Sequence, residues 1–221
     1  MITDKTEPLN NARIARQLLR AHRYGALGTL SKKFDGHPFG SITPYLVNQD
    51  GSLMILISAL AEHTKNIRHD PRVSLITHNQ DDPHIQTQGR ITLVGNASLF
   101  ADREQAGKRY LRYFPEAQTY FDMPDFTFFR IEPLALRYIG GFGDIHWVKA
   151  NNYLVSAYPL ITEEDVLLDQ LNTSRSAAQG KLIGIDCDGY DLRIEERNVR
   201  HNFSTPVLDA VQVMRQFQEQ P

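Results

Sequence analysis

Eight histidines and one cysteine carry most of the coordinating and nucleophilic potential of this 221-residue sequence. The histidines are His22, His37, His63, His69, His78, His84, His146 and His201, and none forms an H-E-x-x-H or similar metal-ligand spacing. Cys187, the single cysteine, rules out an internal disulfide and any multi-cysteine zinc or iron–sulfur centre. It stands between Asp186 and Asp188, whose carboxylates raise a thiol pKa and disfavour a reactive thiolate. No Ser–His–Asp arrangement points to a nucleophilic triad. His201 lies in the strand-like run "VRHNF", where a surface strand position outweighs a ligand role on the residues alone.

Two stretches concentrate polar chemistry. In "SALAEHTKN", Ser58 to Asn66, a strand gives way to a helix that starts near Glu62, His63, Thr64 and Lys65. Helix N-termini offer free N–H donors and partial positive charge, so this corner suits a phosphate or carboxylate. A solvated, capped helix start would use the same residues. In "RYIGGFGDIHWV", residues 137–148, the Gly-Phe-Gly of 141–143 lacks the third glycine and the βαβ setting of a dinucleotide site. Gly141 and Gly143 allow a sharp bend, which leaves Trp147 to core or interface. The other reading makes the bend one wall of a flat-ligand pocket, with His146 and Trp147 beside it.

The elements that must position these residues follow from periodicity. Asn11–Tyr24 reads as an amphipathic helix with Gly25 as its stop. Strands follow, turning at Asp35-Gly36 and Asp50-Gly51. A short helix over Leu60–His69 ends before Pro71, and "RVSLIT" and "GRITLVGNASLF" return to strand, with a bulge expected at Gly95. A helix over Asp102–Tyr113 precedes a long aromatic strand region kinked at Pro133 and ending in the glycine bend. The first 150 residues thus predict six or seven short strands of a barrel or sandwich. Beyond them come a helix starting at Thr162, a hairpin with Asp188-Gly189 at its tip, and a helix capped by Thr205-Pro206.

Composition excludes several classes. With 24 basic and 26 acidic side chains interspersed, no basic stripe suggests nucleic-acid binding. No run approaches ~20 apolar residues, so no membrane span is expected. The polar N-terminus lacks the apolar core of a signal peptide, and a cytoplasmic location is expected.

Taken in order, "GALGTLSKKFDGHPFGSITPYLV", "SALAEHTKNIRHDPRVSLIT", "GRITLVGNASL" and the stretch from "RYLRYFPEAQ" to "GGFGDIHWV" resemble the pyridoxamine 5′-phosphate oxidase-like split-barrel superfamily. With the tail "IDCDGYDLRIEERNVRHNFSTPVLDAVQVMRQF", they look most like its haem-utilisation, HugZ/HutZ-type branch. The resemblance implies an α+β fold: a six-stranded split β-barrel with flanking helices over 1–150, and a small C-terminal α/β domain over 151–221. It further implies a homodimer with a ligand in the cleft between subunits. In flavin-binding relatives the FMN phosphate sits just after the strand that ends here at Ser58. The arginine-rich flavin pattern of true pyridoxamine phosphate oxidases is not evident. Cofactor contacts are expected from Ser58, His63, Thr64, Lys65, Asn66, Gly141, Gly143, His146 and Trp147. In the haem branch a C-terminal histidine ligates iron, and His201 is the one histidine of this tail. The function implied is haem binding in iron utilisation, extending to oxygenase-like haem degradation with an external electron donor. The alternatives are an FMN-dependent oxidoreductase or a non-catalytic split-barrel binding protein.

Overall fold

The computed structural model describes residues 7–79, 81–141, 144–156 and 158–219. Helix α1 (Glu7–Ala21) leads into strands β1 (Tyr24–Leu30), β2 (Pro38–Pro44), β3 (Leu46–Val47) and β4 (Leu53–Ser58). Helix α2 (Glu62–His69) precedes β5 (Arg72–His78) and β6 (Arg90–Leu99). Helices α3 (Arg103–Tyr113) and α4 (Gln118–Phe121) flank a 3-10 turn and are followed by β7 (Phe126–Gly141) and β8 (Asp144–Lys149). The chain ends with α5 (Ala150–Tyr153), α6 (Leu160–Thr173), β9 (Lys181–Asp186), β10 (Gly189–Ile194), β11 (Arg197–Asn202) and α7 (Ala210–Glu219).

Strands β2-β1-β5-β6-β7-β4-β3 form one antiparallel sheet, with β8 also pairing β7. The six expected barrel strands are β1, β2, β4, β5, β6 and β7; β3 and β8 extend them. Strict alternation decides which way each side chain points. The row Leu27–Leu75–Leu93–Leu136–Val148 faces inward, and all five side chains are buried. The adjacent row Ile42–Ala26–Ile76–Thr92–Arg137–Trp147 faces outward across the same five strands and β2. Strands β2 and β4 touch but share no ladder, so the barrel has an open seam.

Helix α1 ends earlier than its periodicity suggests. Gly25 is not its stop but part of β1, where a Cβ would meet the Ile76 carbonyl oxygen at 2.6 Å. The Gly95 bulge is present, opposite Pro133. The glycine bend is a hairpin: β7 runs to Gly141 and β8 returns antiparallel from Asp144. It does not lead the chain away from the barrel, because Leu136 and Val148 bury a continuing apolar stripe in both arms. Gly143 lies outside the described residues. Helix α6 begins at Leu160, and the Thr162 hydroxyl donates back to the Pro159 carbonyl. Helix α7 starts at Ala210 with Asp209 accepting from Gln212 N, not at Thr205-Pro206. The preceding segment is held extended by Phe203 N and Val207 N bonding to the Asp188 and Cys187 carbonyls.

The three-stranded sheet β11-β10-β9 carries its own apolar core around Leu182, Ile185, Leu192 and Phe203, covered by α6 and α7. A buried charge cluster ties it to α1. Arg16 and Arg20, one helical turn apart, both reach Asp188; Arg20 and Arg200 both reach Asp186. Burial alone would raise the Asp186 pKa, but the two guanidiniums outweigh it and hold the carboxyl well below its ordinary range. Asp186, Cys187 and Asp188 lie close enough to suggest a metal site. The arginines already occupy those carboxylates, and burial pushes the Cys187 thiol up to about 11, so neither a metal nor a thiolate is favoured.

Candidate cofactor cleft

The open seam makes a cavity of about 400 Å³. Ile42, Thr43 and Pro44 of β2 line one side and Leu56, Ile57 and Ser58 of β4 the other. Ala61 and His63 close it at the start of α2, while Tyr110, Phe114, Tyr120 and Phe126 supply an aromatic wall. Tyr110 stacks on Phe114 with centroids 4.6 Å apart, and Tyr120 on Phe126 at 5.0 Å. Glu116 is the one carboxylate in the lining, and no lysine or arginine contributes to it. Such a cleft suits a flat, largely apolar ligand.

The β4–α2 corner is rigid. Ser58 Oγ donates to Asp125 Oδ2 at 2.6 Å and accepts from Leu60 N, while Ala59 N bonds to the Asp125 carbonyl. One turn on, Asn66 accepts from Lys32 N and donates to Thr29 Oγ1 in the interior, and Ile67 enters the core. His63 lies three and four residues before these two, on the same helical face. That face runs past the barrel wall, which delivers the imidazole into the cleft. Partial burial pulls the His63 pKa below that of an ordinary histidine, which favours the uncharged ring.

The expected site residues therefore separate. Ser58 and His63 line the cleft. Thr64 and Asn66 do not: both are fully buried beneath the helix. Lys65 is exposed and pairs with Glu62 at 3.4 Å. Gly141 ends β7, where it pairs with Asp144. His146 donates to Asp144 at 2.7 Å and stacks on Tyr138, on the hairpin and outside the cleft lining. Trp147 points outward, 64% exposed, beneath the Arg137 guanidinium. His201 is exposed on β11 with its ring stacked on Tyr190 at 5.0 Å, again outside that lining. Sequence reasoning missed the aromatic wall and Asp125. The density of Tyr and Phe between residues 110 and 128 was the available signal.

An antiparallel split barrel with an apolar, histidine-bearing cleft at its seam is the class that fold and site define. The chain belongs to the family described as "CREG, beta-barrel", whose profile matches residues 6–155. The split-barrel, haem-utilisation resemblance drawn from the sequence is borne out by its relatives. The chloroplastic heme oxygenase HOZ of Arabidopsis thaliana is 38% identical over 140 residues, covering 62% of this chain and 43% of that protein. The chain thus spans less than half the length of that relative. Among solved structures, a protein of unknown function from Agrobacterium tumefaciens shares the fold with a TM-score of 0.83 at 24% identity, over 99% of this chain and 98% of that one. A heme binding protein from Mycobacterium smegmatis gives a TM-score of 0.59 at 25% identity, covering 94% of each chain. Among the described residues, no helix is long and apolar enough to cross a membrane.

Proposed function

We propose that this protein binds haem in the seam cleft and serves haem utilisation, extending to oxygenase-like haem degradation. The observation that carries the reading is the cleft itself: an aromatic wall, the His63 imidazole and no lysine or arginine in its lining. The relatives named for heme oxygenase activity and heme binding support it. These residues fit a porphyrin face, with its propionate edge left at the mouth, in water or against Lys65. Bound haem would supply dioxygen binding and activation once an external donor reduces its iron. The protein's share is to orient the ring between stacked aromatics, exclude water from its faces and present the imidazole. FMN fits less well. Its phosphate would find Ser58 engaged, Thr64 and Asn66 buried, and no basic side chain in the lining.

The reading includes a homodimer, supported by the outward row with Ile42, Ile76 and Trp147 exposed at 68%, 40% and 64%. Ile42 also lines the cleft, so a second copy on this face would border the ligand. Two domains, 1–150 and 151–221, are supported by separate cores, although Tyr153 still packs with the barrel. The cytoplasm is the compartment we assign, in keeping with one buried, unpaired cysteine. Hemin titration of the purified protein tests the function. A saturable shift of the Soret band is expected, and its absence, with yellow FMN released on denaturation, would replace haem by flavin.

A further inference from the structure

The eight histidines are not equivalent in this fold. His37, His78, His84 and His146 each spend a ring nitrogen on a nearby oxygen. His22 faces a cavity of about 20 Å³, room for one water, with its Nε2 buried. His69 and His201 are exposed, the latter with its ring face against Tyr190. Among the described residues, only His63 combines three features. It lines a cavity large enough for part of a planar macrocycle, it has no hydrogen-bond partner, and neither ring nitrogen is sealed from a ligand.

We infer that His63 is the residue that ligates the haem iron, in place of the tail histidine His201. The assignment rests on the haem reading and names the metal ligand within it. Its rigidity comes from both sides. The Ser58–Asp125 bond anchors the strand end before α2, and Asn66 and Ile67 lock the helix one turn later. An imidazole on so fixed a helix face is pre-oriented, and it shares the cleft with the aromatic wall of the Tyr110–Phe114 and Tyr120–Phe126 stacks. An imidazole nitrogen is a haem-iron ligand, and no hydrogen bond within the described residues engages the His63 ring. His201 stands instead on β11, outside the cleft lining, with its ring face stacked on Tyr190.

The test uses the full chain and hemin, with three proteins: wild type, His63→Ala and His201→Ala. Absorption spectra and low-temperature electron paramagnetic resonance report the ligand directly, without turnover, and thermal melts confirm folding. The assignment expects His201→Ala to keep the wild-type Soret maximum and resonance signature. It expects His63→Ala to lose them and to regain a histidine-like spectrum when free imidazole is added. An unchanged spectrum in His63→Ala beside a changed one in His201→Ala would overturn it. A wild-type protein that gives no Soret shift with hemin would instead remove the haem reading, and the two failures are distinct.

Discussion

Ser58 Oγ donates to Asp125 Oδ2 at 2.6 Å across 67 residues of sequence, joining the end of β4 to the turn before β7. This bond sets the corner from which α2, and so His63, overhangs the cleft. Ser58→Ala removes the donor and the acceptor for Leu60 N, at a cost of about 1–2 kcal/mol in stability. Urea unfolding should show that loss, and hemin titration of the same variant should show weaker binding. Wild-type affinity in a destabilised protein would mean the corner does not position the cleft.

Asp188 is fully buried and is contacted by Arg16 and Arg20. Asp188→Ala leaves Arg16 buried without its carboxylate and Arg20 with Asp186 alone, and a loss of about 3–5 kcal/mol follows. Differential scanning calorimetry reads it as a lower melting temperature. A companion variant that replaces the cluster with apolar residues should recover much of that loss.

Acid should weaken the same cluster. The Asp186 pKa is depressed in the folded state by Arg20 and Arg200 against the opposing effect of burial. A depressed folded pKa gives stability that is complete above the unfolded value of ~3.9 and is lost as pH falls below it. Unfolding free energy should therefore be level through neutral pH and drop below about pH 4. Asp186→Asn should flatten that drop while lowering stability at pH 7.

The outward row makes the dimer testable. Ile76→Glu places a charge at the middle of the exposed row, where an interface would have to bury it. Light scattering should show a shift from dimer to monomer with little change in the melt of the isolated protomer. A monomeric wild type, or an unperturbed dimer in this variant, would move the interface elsewhere.

Much of the barrel was legible because alternation and turn chemistry are local. Asp35-Gly36 adopts positive φ at both residues, as its hairpin requires, and Gly51 does so at φ +97. The Gly95 bulge and the Asp70-Pro71 helix stop also follow from single residues and their neighbours. Gly25 misled because a glycine after a helix and a glycine pressed against a neighbouring strand look alike in one dimension. Likewise Thr205-Pro206 has the form of a helix cap, yet long-range bonds to Cys187 and Asp188 hold it extended.

The sequence by itself determined the element types, the main turns and the absence of a multi-cysteine centre, since each rests on covalent identity and short-range periodicity. Which polar residues meet was decided only by the tertiary structure. It turned Thr64 and Asn66 inward, set Trp147 and His201 outside the cleft, and carried His63 to an aromatic wall some fifty residues further along the chain. The physical reason is the seam: where β2 and β4 fail to pair, the barrel opens, and no local pattern states which two strands will leave that gap.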